Sequence, residues 1–247
     1  MIDLHCHILS GVDDGASSDE ESCLMAQMAL DNGVTTVVMT PHCNVPGYFA
    51  NYADAALAER FTHMEQLLHQ RNIPLQLYRG MEVYVTHELP ELLQQNRLLT
   101  LGNTRYLLVE FGFDESAGFT TDMLRIVMEH GLIPVVAHPE RYYCAQDDHR
   151  LLMHWANEGC ALQINKGSLF GLFGRHAAKA AHWCLAEGCV HLVGSDAHSP
   201  YRRTPRLADA WAYIADYDSP EIAEFLLQEN PRRILNNDSV RPVLAEF

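Results

Sequence analysis

Positive charge is scarce in this chain. Lys and Arg number 17 against 32 Asp and Glu, which leaves a net charge of −15 over 247 residues. Phosphate backbones and anionic lipid surfaces select basic proteins, so this balance argues against nucleic acid or a membrane surface as main partner. Long apolar runs are lacking too. None approaches the ~18 residues that a membrane-crossing helix requires, so direct insertion is not expected. No charged-then-apolar leader pattern occurs, because a histidine motif starts by His5. A disulfide framework is equally absent. The seven cysteines, at 6, 23, 43, 144, 160, 184 and 189, are odd in number, scattered and never spaced C-x-x-C. Such usage fits reduced thiols in a cytoplasmic protein. Length and a hydrophobic fraction of 48% suit a single domain spanning 1–247.

One cysteine spacing imitates a catalytic loop. Cys144 and Arg150 stand at the C-x5-R spacing of cysteine-based phosphatases. The residues between them are Ala-Gln-Asp-Asp-His. Two carboxylates there repel both a thiolate and a phosphate, and no glycine lets the backbone close on an oxyanion. A thiolate mechanism is therefore set aside.

What is present is strand and helix in alternation. Apolar, β-branched runs lie near 2–8, 35–41, 75–85, 105–112, 132–138, 160–165 and 189–195. Between and after them, helical patterns cover 53–71, 86–96, 119–130, 148–158, 174–187, 205–216 and 219–229. A further helix starts with a capping box at Ser17 or Ser18 and stops at Gly33. Gly131, Gly159 and Gly188 sit where C-terminal caps belong, and Asn230-Pro231 reads as the N-cap and first position of a short last helix. Seven β/α units predict an α/β fold, a closed parallel barrel in preference to a doubly wound sheet.

The polar residues favour the barrel, because catalytic groups of such folds collect at the C-terminal ends of the strands. His5 and His7 end the first strand, two residues apart and so on one side of it. His42 ends the second, Glu82 the third, Glu110 the fourth and His138 the fifth. Asp196 and His198 end the seventh; the sixth ends in Asn165-Lys166, which are not typical metal ligands. A lone histidine or glutamate at a strand end is usually a satisfied polar residue. Six strands of seven converging on one rim point instead to a divalent-metal site. Val12-Asp13-Asp14-Gly15 adds two more carboxylates, of which one could reach the rim, although Asp-Asp-Gly also suits a plain turn.

Taken together, Ile2–Gly15 with its His-x-His, Thr40-Pro41-His42, His138-Pro139-Glu140-Arg141-Tyr142, Gly194-Ser195-Asp196-Ala197-His198 and Asn230–Leu235 carry a family likeness. The chain resembles the PHP superfamily (polymerase and histidinol phosphatase) over essentially its whole length. Within it the match is closer to one branch, the bacterial manganese-dependent protein tyrosine phosphatases of the CpsB/CapC/YwqE type. The resemblance implies a distorted (β/α)7 TIM-like barrel, the PHP fold, holding three divalent metal ions. It assigns His5, His7, Glu82 and Asp196 to the first ion. Glu82 bridges to a second, completed by Glu110 and His138. Asp14, His42 and His198 hold the third. Mn is the metal implied, with Fe and Zn compatible with an O/N donor set that has no thiolate. Arg141 matches the phosphate-gripping position, although a salt bridge with Glu140 or another acid would also account for it. Arg203, in the Tyr201–Thr204 loop, is a second candidate for the phosphate, and His198 a candidate to assist the leaving group.

The implied reaction is hydrolysis of phosphotyrosine in a protein. The implied partner is the C-terminal tyrosine cluster of a bacterial tyrosine autokinase that controls capsule or exopolysaccharide synthesis. Two alternatives stand beside it: a small-molecule phosphomonoesterase such as histidinol-phosphatase on the same trinuclear site, and a non-catalytic metal-binding regulator. The loop Pro46–Tyr52 carries three aromatics that could stack on a phosphotyrosine ring or form a lid packed on the barrel.

Overall fold

The computed structural model describes residues 1–245. Among them nine strands form: β1 (Ile2–Cys6), β2 (Thr36–Met39), β3 (His42–Cys43), β4 (Gln76–Arg79), β5 (Glu82–Tyr84), β6 (Tyr106–Glu110), β7 (Ile133–Ala137), β8 (Ala161–Asn165) and β9 (Leu192–Gly194). They pair in parallel as β1-β2-β4 and β3-β5-β6-β7-β8-β9. Two of the expected strands are thus each broken in two. Pro41 has no N–H to give a ladder, and it separates β2 from β3. Gly80, whose added Cβ would lie 2.9 Å from Val38 Cγ1, separates β4 from β5.

Backbone bonds carry the ladder across both breaks: Thr40 N–H to Cys6 O, Gly80 N–H to Met39 O and Glu82 N–H to Pro41 O, each 3.0 Å. The ring closes where Asp196 N–H donates to His5 O at 2.9 Å and His7 N–H to Ala197 O at 2.8 Å. Counting each broken strand once, seven positions make a distorted (β/α)7 barrel, as the alternation predicts.

Side-chain phase explains the interior. Ile2, Leu4, Val38, Tyr106, Leu108, Val135, Ala137, Ala161 and Leu192 form one buried cluster inside the barrel. Their sequence neighbours Val37, Met39, Leu107, Val109, Val136, Leu162 and Val193 join a second cluster beneath the helices. Alternation between two apolar faces is the expected pattern of a parallel barrel.

Most helices start and stop as the sequence predicts. Asp19–Asp31 is capped by Ser18, whose side chain accepts from Glu21 N–H, and it ends at Asn32 with Gly33 beyond. Gly131, Gly159 and Gly188 all have positive φ, at 78°, 104° and 64°, which glycine adopts at least cost. The last helix is a correction. Asn230 has helical φ and ψ of −61° and −43°, so it is not an N-cap. The segment Pro220–Glu224 runs through a π turn at Phe225–Glu229 into Asn230–Leu235. Pro231 lacks the N–H that a regular ladder would use, and a π turn absorbs such an interruption.

Asn230 is buried and its Nδ2 donates to His191 O and Arg241 O, both at 2.8 Å. It ties the last helix to the barrel floor and the C-terminal segment. Asn230→Ala strands two carbonyls and is expected to cost about 1–3 kcal/mol. Urea unfolding of the variant checks this; an unchanged midpoint would show that the tie is not structural.

Candidate metal centre

The interior phase that is apolar low in the barrel becomes polar at its mouth. Val38, Thr40 and His42 share one parity, as do Tyr106, Leu108 and Glu110, and Leu192, Gly194 and Asp196. Glu82 follows Gly80 in the same way. Three ligand-type residues are out of phase, and two local devices correct them. The β1–β2 register shifts between Asp3 and Cys6; His5 within that irregularity and His7 just after it face the cluster. His138 sits one residue past Ala137 and has left-handed backbone, φ 35° and ψ 52°.

All nine side chains proposed from the sequence as metal ligands meet here. Four sets lie with candidate donor atoms within 4.8 Å of one another: His7, Asp14, His42 and His198; His5, His7 and Asp196; His5, Glu82 and His138; His42, Glu82 and Glu110. Glu82 is the hub. Its Oε1 is 3.2 Å from His5 Nε2 and 3.1 Å from His138 Nε2. Its Oε2 is 3.2 Å from His7 Nε2 and 3.0 Å from His42 Nδ1. Glu110 lies 3.5 Å from His138 and 3.6 Å from His42. Asp14 is 3.4 Å from His42 and 3.5 Å from His198, and more than half exposed.

Neighbours set which ring nitrogens face the cluster. Gln163 Oε1 lies 2.7 Å from His5 Nδ1, and Asp13 Oδ2 lies 2.8 Å from His7 Nδ1. Both oxygens only accept, so each Nδ1 carries the proton and each neutral ring offers a bare Nε2. Those two Nε2 atoms stand 3.2 Å apart. His198 Nδ1 likewise faces the Asp196 carbonyl at 3.0 Å, leaving Nε2 toward Asp14. Asp13 also accepts from His42 N–H at 2.9 Å. Of the two adjacent aspartates, Asp14 therefore reaches the rim while Asp13 orients two of its histidines.

Burial and crowding shift the protons. Burial would lower His5 and His42, but the carboxylates outweigh it. Glu82 and Asp196 bring His5 up to about 9, and Glu82 and Glu110 bring His42 to about 10. Burial pushes Glu110 up to about 8, with Glu82 adding to it. It pushes His138 and His198 down to about 4. Burial also opposes ionisation of Glu82 and Asp196. Their cationic neighbours, His5 and His42 for Glu82, Arg203 and His5 for Asp196, hold both below the usual carboxylate range.

The arginines flank this rim. Arg141 Nη1 is 3.5 Å from Asp196 Oδ2, and Arg203 contacts the same oxygen. The Glu140 pairing is not found: Glu140 Oε1 accepts from Ser168 Oγ at 2.6 Å and Asn165 N–H at 3.0 Å. Three positions are absent from the sequence proposals: Gln163, Asp13 in its orienting role, and Asn165, whose Nδ2 donates to Asp196 Oδ2 at 2.5 Å. The β8 parity Ala161, Gln163, Asn165 was the available signal for two of them. In the Pro46–Tyr52 loop, Phe49 stacks on His42 with centroids 6.0 Å apart and planes 4° from parallel, so it packs on the rim. Tyr48 is 81% exposed beside a recess of about 650 Å³ that also takes in Asn44, Tyr52 and His87.

The C-x5-R spacing builds no phosphate loop. Cys144 lies in the short helix Tyr143–Asp147, where burial raises its thiol. Arg150 turns to Asp148 at 2.8 Å.

Fold and rim together define a β/α-barrel protein with a candidate multinuclear metal centre. The chain belongs to the CpsB/CapC family: the family model described as "Capsular polysaccharide synthesis, CpsB/CapC" matches residues 1–236. It is 34% identical over 240 residues to the tyrosine-protein phosphatase YwqE of Bacillus subtilis, covering 97% of this chain and 93% of that one. It is 32% identical over 240 residues to the tyrosine-protein phosphatase CpsB of Streptococcus pneumoniae, covering 95% and 98%. A solved structure from a study of YwqE and CpsB, described there as unique metal-dependent tyrosine phosphatases, superposes with a TM-score of 0.89. It is 33% identical and the match covers 98% of this chain and 99% of that one.

The proton shifts have a consequence for the metal-free protein. His5, His42 and Glu110 bind protons more tightly folded than unfolded, where their values are about 6.5 and 4.3. Their stabilising contribution is full below those unfolded values and is lost as pH rises through about 8 to 10. After chelation, Tm is expected to fall between pH 7 and pH 10 in scanning calorimetry. A flat or rising Tm over that range would contradict the protonation pattern.

Proposed function

We propose that the chain is a metal-dependent phosphatase of phosphotyrosine in proteins, with His5, His7, Asp14, His42, Glu82, Glu110, His138, Asp196 and His198 as metal ligands. The observation that carries the reading is their convergence at one barrel mouth beside Arg141. Fit to a cation is supported by the atoms left over. Asp196 Oδ1 and His198 Nε2 are buried without a hydrogen-bond partner, a costly arrangement unless a cation takes up the lone pairs. Four carboxylates and five imidazoles, with no thiol among them, suit Mn, Fe or Zn.

The first ion is assigned to His5, His7, Glu82 and Asp196, the second to Glu82, Glu110 and His138, and the third to Asp14, His42 and His198. His7 also stands with the third set and His42 with the second, so the three positions share walls. Mn is the metal we favour. When bound, such ions supply positive charge to the phosphoryl oxygens and a water acidic enough to attack phosphorus near neutral pH.

The chain's own groups do the rest. Gln163 and Asp13 hold two imidazoles in the ligating tautomer. Arg141 presents a planar guanidinium that suits a phosphate's paired oxygens, which a lysine would not reproduce. Arg203 lies beside it. His198 has Nδ1 engaged on a carbonyl, which favours its ligand role over proton donation. The leaving phenolate, with a pKa of ~10, departs without obligatory protonation.

The substrate we infer is the tyrosine-rich tail of a bacterial tyrosine kinase in capsule or exopolysaccharide synthesis, in the cytoplasm. The family's description and the names of the relatives support it, and so do the free cysteines at all seven positions. No helix among the described residues is long and apolar enough to cross a membrane.

Hydrolysis of an aryl phosphate is expected to vanish with a chelator, return with Mn²⁺ and survive Cys144→Ser. His5→Ala should lower kcat at least about a hundredfold, as removal of one preorganised electrostatic group does elsewhere. Loss of activity in Cys144→Ser with retention in His5→Ala would reject the metal site. A larger kcat/KM on histidinol phosphate than on a phosphotyrosine peptide would move the substrate to small phosphoesters. Separately, Asp13→Ala should weaken Mn²⁺ binding about 10- to 100-fold in calorimetric titration; unchanged affinity would remove Asp13 from the site.

A further inference from the structure

Phe173 is an aromatic residue placed outside the apolar core. It lies in Phe170-Gly171-Leu172-Phe173-Gly174, the loop between the short helix Lys166–Leu169 and the helix Arg175–Ala186. Its loop neighbours Phe170 and Leu172 are exposed. Among the described residues, Phe173 joins neither buried apolar cluster. Its ring lies instead against guanidinium groups. Arg141 Cζ is 4.2 Å from its centroid and Arg203 Cζ is 5.8 Å away. The other aromatic neighbour of Arg141 is Phe113, at 4.4 Å, and Phe113 in turn meets His138 edge to face at 6.2 Å.

The edges of the two guanidiniums differ: Arg203 turns Nη2 onto Asp196 Oδ2, while Arg141 keeps its edge free of hydrogen bonds. Among the described residues, the Arg141 guanidinium makes no hydrogen bond; its nearest anion is Asp196 at 3.5 Å. Arg203 Nε is buried with no hydrogen-bond partner. Rings that cover a guanidinium's face fix its plane by cation–π attraction and leave its in-plane N–H groups for an anion. The seat of Phe173 is shaped for this. A Cβ on Gly167 would come within 2.6 Å of Phe173 Cε2, so only glycine there lets the ring lie where it does. Gly171 and Gly174, both with positive φ, flank the turn that delivers it.

We propose that Phe173 is a positioning residue, which stacks on Arg141 and Arg203 and holds the open N–H edge of Arg141 toward the phosphoryl group. The inference rests on the reading of Arg141 as the arginine that binds phosphate. It assigns Phe173 a role that acts through Arg141 and not through packing.

The test uses full-length protein loaded with Mn²⁺. For Phe173→Leu, which keeps an apolar side chain and removes the π face, KM for p-nitrophenyl phosphate and Ki for inorganic phosphate should rise about five- to tenfold. kcat should change by less than about threefold, since the loss falls on binding. Phe173→Tyr should restore both constants. Modification of Arg141 by phenylglyoxal, followed by peptide mapping, should be faster in Phe173→Leu than in the parent or in Phe173→Tyr. In an Arg141→Lys background, Phe173→Leu should add little, because partners in one interaction are not additive. Unchanged KM, Ki and Arg141 reactivity in Phe173→Leu would overturn the proposal, and so would full additivity with Arg141→Lys. Should the parent protein hydrolyse no aryl phosphate, the proposed function fails by itself; the Arg141 modification rate then decides on Phe173, and an unchanged rate overturns it.

Discussion

Four carboxylates crowd one barrel mouth, and their mutual repulsion is the constraint that organises the rest of the structure. Glu82, Glu110 and Asp196 are buried, and Asp14 leans over them. Such a set is tolerable only when every charge meets a compensating group. Within the protein that compensation comes from five imidazoles on four strand ends and from two arginines on Asp196. The supporting contacts serve the same end. Gln163, Asp13 and Asn165 fix which atoms face inward, and the aromatic rings hold a guanidinium in place without neutralising it. A rim so arranged brings four candidate cation-binding sets together beside two arginines.

The barrel and the rim were largely legible from the chain because both follow from one rule, the two-residue alternation of strands. Strand-end histidines and carboxylates could be placed without knowing a distance. Deviations from the rule were not legible. Nothing in Ile2–Cys6 announces the register shift that turns His5 and His7 inward, and nothing in Ala137-His138 announces a left-handed residue. Both are set by tertiary fit, so alternation alone brings these residues to the rim without showing how each turns toward its neighbours. Asn230 was misread for a related reason. Asn-Pro is a strong local signal for a helix start, but the buried bonds of Asn230 to His191 and Arg241 override it.

The orienting residues were hidden in a different way. Gln163 and Asn165 look like ordinary polar residues at a strand end, and their meaning depends on what lies across the barrel, as Asn165 does for Asp196. Asp13 and Asp14 are chemically identical neighbours, separated only by the direction in which a turn sends each. Phe173 carried no signal at all, since stacking on guanidinium has no spacing that a sequence displays. Ligand chemistry is thus written in residue type and position, while the second layer around it is written in geometry.

The closure of the barrel has a consequence for the order of assembly. Bonds that join the first strand to the last span about 190 positions, as between Ser195 and His5. His5 and His7 are synthesised well before Asp196 and His198. In between, a growing chain carries the His-x-His pair without the backbone groups that complete the seam. Contacts of such separation form late, because the intervening loop must be ordered before they are rewarded. A chain cut short before Leu192 lacks the strand that closes the ring, and its first strand keeps an open edge in place of the bonds to Asp196 and Ala197.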